Sequence, residues 1–279
     1  MTNSSASSTL GIIAGSGDFP FLVADGARAA GRRVNLIALR GFADPALADH
    51  ADIFHWAGLA RPGRWRRLLR KHDTRDVILA GAVRKTDMYG RFRMLKFLPD
   101  LTALKIWFVR LKDKRNDAVL AALADELASH GITMQDCTQY TQEHLAPAGV
   151  LTRTQPTPAQ QRDAEFGWTI AKEMGRLDIG QSVAVKETEV IAVEAIEGTD
   201  RMIERAGQLC PRGGWTLVKV AKPNQDMRFD VPTIGVATIA NLVRHGAKML
   251  VIEASKTVIL DRPATVAAAD KAGVAILSQ

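Results

Sequence analysis

Three short polar segments in the second half of the chain combine the residue types that phosphoryl chemistry requires. They are LDIGQ, with Asp178 and Gln181; EAIEGTD, with Glu194, Glu197, Thr199 and Asp200; and KPNQDMRFD, with Lys222, Asp226, Arg228 and Asp230. Each lies where a strand-like apolar run ends, so the charges fall on loops. Carboxylates there can bind Mg²⁺ or activate water, while Lys and Arg can neutralise phosphate oxygens. Taken singly, each residue reads better as a turn residue, and Asp226 with Arg228 as a surface pair. Three carboxylate-bearing loops in one half of a chain point to a site.

Near the N-terminus, Gly15, Ser16 and Gly17 form a glycine turn between a strand and a helix, a place where backbone N–H groups can cradle a phosphate. The dinucleotide fingerprint is incomplete. Pro20 stands at the third glycine position, and Arg40 ends the second strand where readers of NAD place an acid. An NAD-dependent oxidoreductase therefore stays an alternative rather than the first reading. The six histidines show no metal-ligand spacing, Cys137 and Cys210 offer no paired ligands, and Ser16 lacks the setting of a nucleophile elbow.

Basic residues concentrate in RPGRWRRLLRK, residues 61–71, which holds six of them. They recur over 91–112 as Arg91, Arg93, Lys96, Lys105, Arg110 and Lys112. There Met94, Leu95, Leu98, Leu101, Leu104 and Phe108 approximate one helical stripe, which suits an anionic membrane, an acyl chain or an ordinary core face. Over the whole chain, 37 Lys and Arg against 30 Asp and Glu leave a net charge of +7, consistent with anionic partners. A basic nucleotide- or nucleic-acid-binding module is the non-enzyme alternative, but no nucleic-acid motif supports it.

The elements that must position these residues are those of an α/β protein. Residues 9–40 read strand, glycine turn, helix, strand. Val77 to Ala80 and the helix Asp117 to His130 continue the alternation, which predicts a Rossmann-like parallel sheet over 1–142. Prolines 147, 156 and 158 among polar residues mark a linker at 143–157, followed by a second α/β domain over 158–279. In it, alternating valines around Lys186-Glu187-Thr188 predict a hairpin. With 47% hydrophobic residues the chain can bury a sizeable core. No apolar run approaches the roughly 18 residues of a membrane span. MTNSSASST carries no basic residue, so a cytoplasmic location is expected.

At the three polar segments the sequence resembles the LpxI family, the UDP-2,3-diacylglucosamine pyrophosphatases of lipid A synthesis. LDIGQSVAV, AVEAIEGTDRMIERA and KVAKPNQDMRFDVPTIG follow in the family order, and GIIAGSGDFP resembles its glycine-turn opening. The likeness covers nearly the whole chain. It implies an N-terminal Rossmann-like domain on the UDP side, a family-specific C-terminal catalytic domain, and a lipid substrate held between them. It further implies a homodimer, the inner-membrane surface as a partner, and Mg²⁺-dependent attack of water on the sugar-side phosphorus, giving UMP and 2,3-diacylglucosamine 1-phosphate. Carried onto the matching motif, Asp226 is the essential acid, as general base or as holder of Mg²⁺, with Glu197, Thr199 and Arg228 at the pyrophosphate. Gly15, Ser16, Gly17, Gln181, Gly198, Lys222 and Asp230 are the expected substrate-binding residues, and the metal ligands are left unassigned. One departure is Asn116 before Asp117, where the family pattern expects paired acids.

Overall fold

The computed structural model describes residues 9–83, 98–111, 116–223, 226–229 and 231–279, except for the side chains of Arg110, Asn116 and Asp117. Arg91, Arg93, Met94, Leu95, Lys96, Lys112 and Asp230 lie outside the described residues, as do the side chains of the Asn116–Asp117 pair. The chain forms two compact units. One comprises Met1–Thr141 with Asp226–Asp230, the other Gln142–Gln225 with Val231–Gln279.

In the first unit, β1 (Thr9–Ala14), β2 (Arg33–Leu39), β3 (Ile53–Ala57), β4 (Asp76–Ala80) and β5 (Thr133–Met134) form a parallel sheet in the order β3-β2-β1-β4-β5. Their apolar character is nearly continuous because both faces are covered: Leu10, Ile12, Leu36, Ile37 and Ile78 are fully buried. Helices α1 (Phe19–Ala29), α2 (Pro62–Lys71), the short α3 (Leu101–Lys105) and α4 (Asn116–Ala128) accompany it.

Strand order reverses between β1 and β4, and the loops leaving these two strands are bonded to each other. Gly15 N donates to Ala80 O at 2.8 Å, and Ser16 and Ala82 exchange backbone bonds of 2.9 Å each. A Cβ on Gly15 would stand 2.6 Å from Ala82 O, and one on Gly81 would stand 2.6 Å from Ser16 O and 2.8 Å from Pro20 Cγ. These glycines serve close backbone approach. Pro20 occupies the third fingerprint position and fills this junction.

The second unit holds a six-stranded mixed sheet, β6-β13-β11-β9-β7-β8. Its strands are β6 (Gly149–Val150), β7 (Ser182–Lys186), β8 (Glu189–Val193), β9 (Trp215–Lys219), β11 (Ala247–Ile252) and β13 (Ala275–Ser278). A separate pair joins β10 (Thr233–Ile234) to β12 (Val258–Ile259). The helices are α5 (Pro158–Arg176), α6 (Thr199–Leu209), α7 (Val236–Arg244) and α8 (Arg262–Ala272). The expected hairpin is β7–β8, with Glu187 and Thr188 at φ of 55° and 59° and Thr188 N bonded to Asp163 Oδ1 at 2.7 Å. Thr157 caps α5 reciprocally with Gln160, an arrangement worth about 1 kcal/mol.

Two features depart from the linear reading. Part of the expected linker 143–157 is sheet: β6 pairs antiparallel with β13, and Thr152 Oγ1 accepts from Ile276 N at 3.0 Å. In addition, Asp226–Asp230 belong to the first unit although they interrupt the second in sequence. The cause is local packing, since Cys137 N donates to Met227 O at 2.9 Å and Phe229 packs against the core cluster of the first unit, which includes Leu127 and Ile132.

The junction at Gly15 yields a direct expectation. Gly15→Ala should destabilise the first unit by about 1–3 kcal/mol through overpacking against a backbone carbonyl that cannot retreat. Urea unfolding of the full-length chain measures this, and an unchanged midpoint would show that the loop yields freely.

Candidate active site

The described site residues form separate groups within the two units. In the second, Glu194 at the end of β8 and Thr199 at the start of α6 meet across Gly198, whose φ of 83° turns the chain into the helix. Thr199 donates to Glu194 Oε1 at 3.0 Å, and Gln181 N approaches Glu194 Oε2 at 3.4 Å. From the strand below, Lys219 Nζ donates to Thr199 Oγ1 and to Thr233 O, both at 3.3 Å, while Ser182 Oγ lies 3.4 Å from Thr199 Oγ1. Glu194 and Lys219 are each 8% exposed. Gln181 Oε1 is buried with no hydrogen-bond partner among the described residues. The result is a polar patch of hydroxyls, one cation and one anion at the N-terminus of α6, a position whose helix dipole favours negative charge.

Glu197 stands apart from that network. Arg205 Nη2 donates to it at 2.5 Å and to Val193 O at 2.7 Å. Burial alone would raise the Glu197 pKa, but backbone hydrogen bonds and Arg205 outweigh it and hold the carboxyl below its ordinary value. Lys222 bonds Asp178 Oδ1 at 2.5 Å, with both side chains about nine-tenths buried. Gly180 is required beside them, because a Cβ there would stand 2.2 Å from Glu194 O.

In the first unit, Asp226 and Arg228 form a tight local pair. Arg228 Nε donates to both carboxylate oxygens at 2.9 and 3.1 Å, Nη2 to Oδ2 at 2.6 Å, and the Arg228 backbone N to Oδ1 at 3.1 Å. The guanidinium also lies 4.9 Å from the centroid of the Phe229 ring, which is itself anchored in the core. The Arg228 hydrogen bonds are the main cause of an Asp226 pKa below its ordinary value, opposed by burial. Elsewhere in this unit, the glycine turn has its Gly15 and Ser16 amides engaged, and Ser16 Oγ donates to Ala82 O at 2.8 Å; a Cβ on Gly17, at φ 90°, would meet open space.

Sequence reasoning missed Ser182, Lys219 and Arg205, and beyond them Lys172 and Glu253. Lys219 carried a readable mark, a lysine in the strand WTLVK whose every residue is buried. Glu253 follows the apolar run of β11 directly. Lys172 and Arg205 sit on helices and carry no such mark.

Models of both halves of one family match this chain in order, the LpxI N-terminal domain over residues 9–144 and the LpxI C-terminal domain over 147–277. The chain belongs to the LpxI family. One relative, named UDP-2,3-diacylglucosamine pyrophosphatase LpxI, from Caulobacter vibrioides, is 36% identical over 279 residues, covering 96% of each chain. The LpxI boundary at 144/147 falls beside the division of the two units at Thr141/Gln142. The three polar segments all lie within the LpxI C-terminal match, including Asp226–Asp230, which pack with the first unit.

The Asp226–Arg228 pair sets a pH dependence. Because the native pKa lies below the ordinary 3.8, the pair stabilises the fold above the unfolded value, and that contribution is lost as pH falls through the native one. Carboxyl NMR should find Asp226 titrating below 3.8, and Arg228→Ala should move it upward. A titration that Arg228→Ala leaves in place would show that the guanidinium does not control this carboxylate.

Proposed function

We propose that the protein is a UDP-2,3-diacylglucosamine pyrophosphatase of lipid A biosynthesis. It hydrolyses the phosphoanhydride of its UDP-sugar lipid to UMP and 2,3-diacylglucosamine 1-phosphate (lipid X), with water attacking the sugar-side phosphorus. The observation that carries this reading is the end-to-end match to the LpxI family together with the relative of that name. The family resemblance assigns Asp226, Glu197, Arg228 and Thr199 to the diphosphate. It assigns Gly15, Ser16, Gly17, Gln181, Gly198, Lys222 and Asp230 to substrate binding.

The geometry refines what each can do. An aspartate held below its ordinary pKa is ionised throughout the neutral range and is a weak proton acceptor, so its charge matters more than its basicity. Mg²⁺ is the cofactor of this reading. No group of three or more acidic, His or Cys side chains is gathered for a metal among the described residues. Mg²⁺ commonly takes one or two carboxylates and completes its shell with water and substrate phosphates, and Asp226 beside a diphosphate suits that habit. Bound there, Mg²⁺ would supply Lewis acidity to the phosphate oxygens, and Arg228 orients the carboxylate that would hold it. Thr199, Lys219 and the α6 N-terminus offer donors to anionic oxygen.

Incubation with UDP-2,3-diacylglucosamine in ¹⁸O-water tests the reaction, with label expected in the lipid 1-phosphate and absent from UMP. Asp226→Ala should lower turnover at least about 100-fold, and excess EDTA should abolish it. Arg228→Lys, which keeps the charge but loses the fork, should retain partial activity. Label in UMP, or near-normal turnover by folded Asp226→Ala, refutes the corresponding assignment.

Association with the anionic cytoplasmic face of the inner membrane is part of the same proposal. No helix among the described residues is long and apolar enough to cross a membrane. On the first unit, however, Leu98, Leu101, Phe108 and Val109 are 57%, 84%, 76% and 76% exposed. The described part of the apolar stripe is thus an outer face, not a core one. Beside it, Arg64, Arg67, Arg70 and Lys71 of α2 and Lys105 of α3 are exposed. The two helices are joined through Asp100, whose carboxylate accepts from Ala103 N at 2.9 Å and Arg64 N at 3.2 Å. Apolar residues rimmed by cations suit an anionic bilayer surface. The protein should sediment with phosphatidylglycerol vesicles and not with phosphatidylcholine ones, and Leu101→Asp with Phe108→Asp should remove the binding. Retention by that double variant would remove this face from the reading. Sedimentation velocity of the full-length chain tests the homodimer that the resemblance implies.

A further inference from the structure

Two buried lysines stand close together where β9 ends, and their surroundings differ. Lys222 is paired with the Asp178 carboxylate, both side chains being about nine-tenths buried. Lys219 is buried as deeply, at 8% exposure, yet its ammonium donates only to neutral oxygens, Thr199 Oγ1 and Thr233 O, each at 3.3 Å. Among the described residues no carboxylate is paired with it directly, and Glu194 is reached only through the Thr199 hydroxyl. A buried ammonium in that setting is costly unless an anion faces it. It carries three hydrogens, and the two bonds leave the third without an acceptor among the described residues.

The Thr199 hydroxyl is committed in the opposite sense. An ammonium has no lone pair, so between Lys219 and Thr199 the hydroxyl accepts. Its single hydrogen then goes to Glu194 Oε1 at 3.0 Å, closer than Ser182 Oγ at 3.4 Å. None is left for an ionised phosphate oxygen, which can only accept. What the start of α6 still offers an anion is main chain: Gly198 has no side chain to cap the helix, and a Cβ built on it would meet open space. All of these residues belong to the second unit.

We propose that Lys219 is a substrate-binding residue of the hydrolysis, its third N–H donating to an oxygen of the diphosphate. The Thr199 hydroxyl is then a positioning group that holds the ammonium and does not touch substrate, and Glu194 fixes the sense of that hold by taking the Thr199 hydrogen. The diphosphate supplies the negative charge that the immediate neighbours of Lys219 lack. The inference rests on the reading that this patch takes the diphosphate, and it moves the contact from the Thr199 hydroxyl to the lysine behind it.

The test compares full-length Lys219→Met, Thr199→Val and the double variant with wild type in kcat and KM on UDP-2,3-diacylglucosamine. Lys219→Met should lower kcat/KM about 100- to 1,000-fold, the scale of losing one donor to a developing anion. Thr199→Val should lower it only about 3- to 10-fold, through a less well-held ammonium. The double variant should match Lys219→Met within about twofold, because a hydroxyl that acts through the ammonium has nothing to hold once the ammonium is gone. Losses that simply add would put the Thr199 hydroxyl on the substrate and overturn the proposal. A second arm titrates inorganic pyrophosphate and follows the backbone amide NMR signals of Thr199 and Asp200. Wild type should show a saturable shift, and Lys219→Met should weaken the affinity at least about 10-fold. Lys219→Gln, which keeps an N–H donor for Thr233 O but loses the charge, supplies both readings if the methionine variant does not fold. A folded Lys219 variant with wild-type kcat/KM, or with an unaltered pyrophosphate titration, overturns the proposal. If the wild-type chain leaves the lipid intact, the proposed activity fails, while the pyrophosphate titration still decides whether Lys219 holds an anion.

Discussion

The buried carboxylate of Glu253 sets the demand that its surroundings meet. A carboxylate at 7% exposure must be neutralised or bonded at both oxygens, and Lys172, Lys256 and the Ala221 N–H do this from three elements. Burial alone would raise its pKa; hydrogen bonds from Lys172 and Lys256 outweigh that and keep the group below its ordinary value. Removing one partner of a buried pair typically costs about 3–5 kcal/mol, because the other charge is left uncompensated. The ends of β9 and β11, the C-terminal half of α5 and the start of the polar loop thus stand or fall together. Lys222–Asp178, one residue further along, is a second ion pair with both side chains about nine-tenths buried.

Beyond that anchor the chain contributes Asp226–Asp230 to the first unit and then resumes the second at Val231. The acid-bearing segment is held there by apolar packing of Phe229 and by one backbone bond to Cys137, while its carboxylate is held by Arg228. Two kinds of force act on one short stretch. Packing fixes where the backbone lies, and the guanidinium fixes how the carboxylate points and keeps it ionised. An anion prepared in this way is suited to holding or complementing positive charge, and poorly suited to taking a proton near neutral pH.

Much of the fold was legible because its signals are local. The buried parallel strands β1, β2 and β4 read as continuous apolar runs, and Lys186-Glu187-Thr188 announced the β7–β8 hairpin. The three polar segments were legible as loops at strand ends. Their partners were not, since Lys172 and Glu253 lie 81 residues apart and meet only where α5 packs on β9 and the segment that follows it, beside the end of β11. Nor could chain order show that Asp226–Asp230 pack with the first unit, because Phe229 packs against that unit's core cluster, whose members come from distant parts of the chain. The apolar stripe over 91–112 was visible as a period. Periodicity identifies a face and is silent on whether that face looks inward.

The glycine turn shows how one local pattern admits two physical roles. A glycine can leave room for a phosphate, or for another stretch of backbone. At Gly15 the space is taken by Ala82 O, and the Gly15 and Ser16 amides that would face a phosphate are spent on Ala80 and Ala82. The β1–β4 junction is therefore closed by the protein's own peptide groups at its first two residues. Gly17 differs: its φ of 90° and the open space at its Cβ position leave it the member of the turn best placed to approach a ligand. Of the three residues of the turn, Gly17 alone keeps open space at its Cβ position, whereas Pro20 stands at the closed side of the junction. Its ring lies so near Gly81 that a Cβ there would stand 2.8 Å from Pro20 Cγ, so a proline fits where the dinucleotide fingerprint has its third glycine.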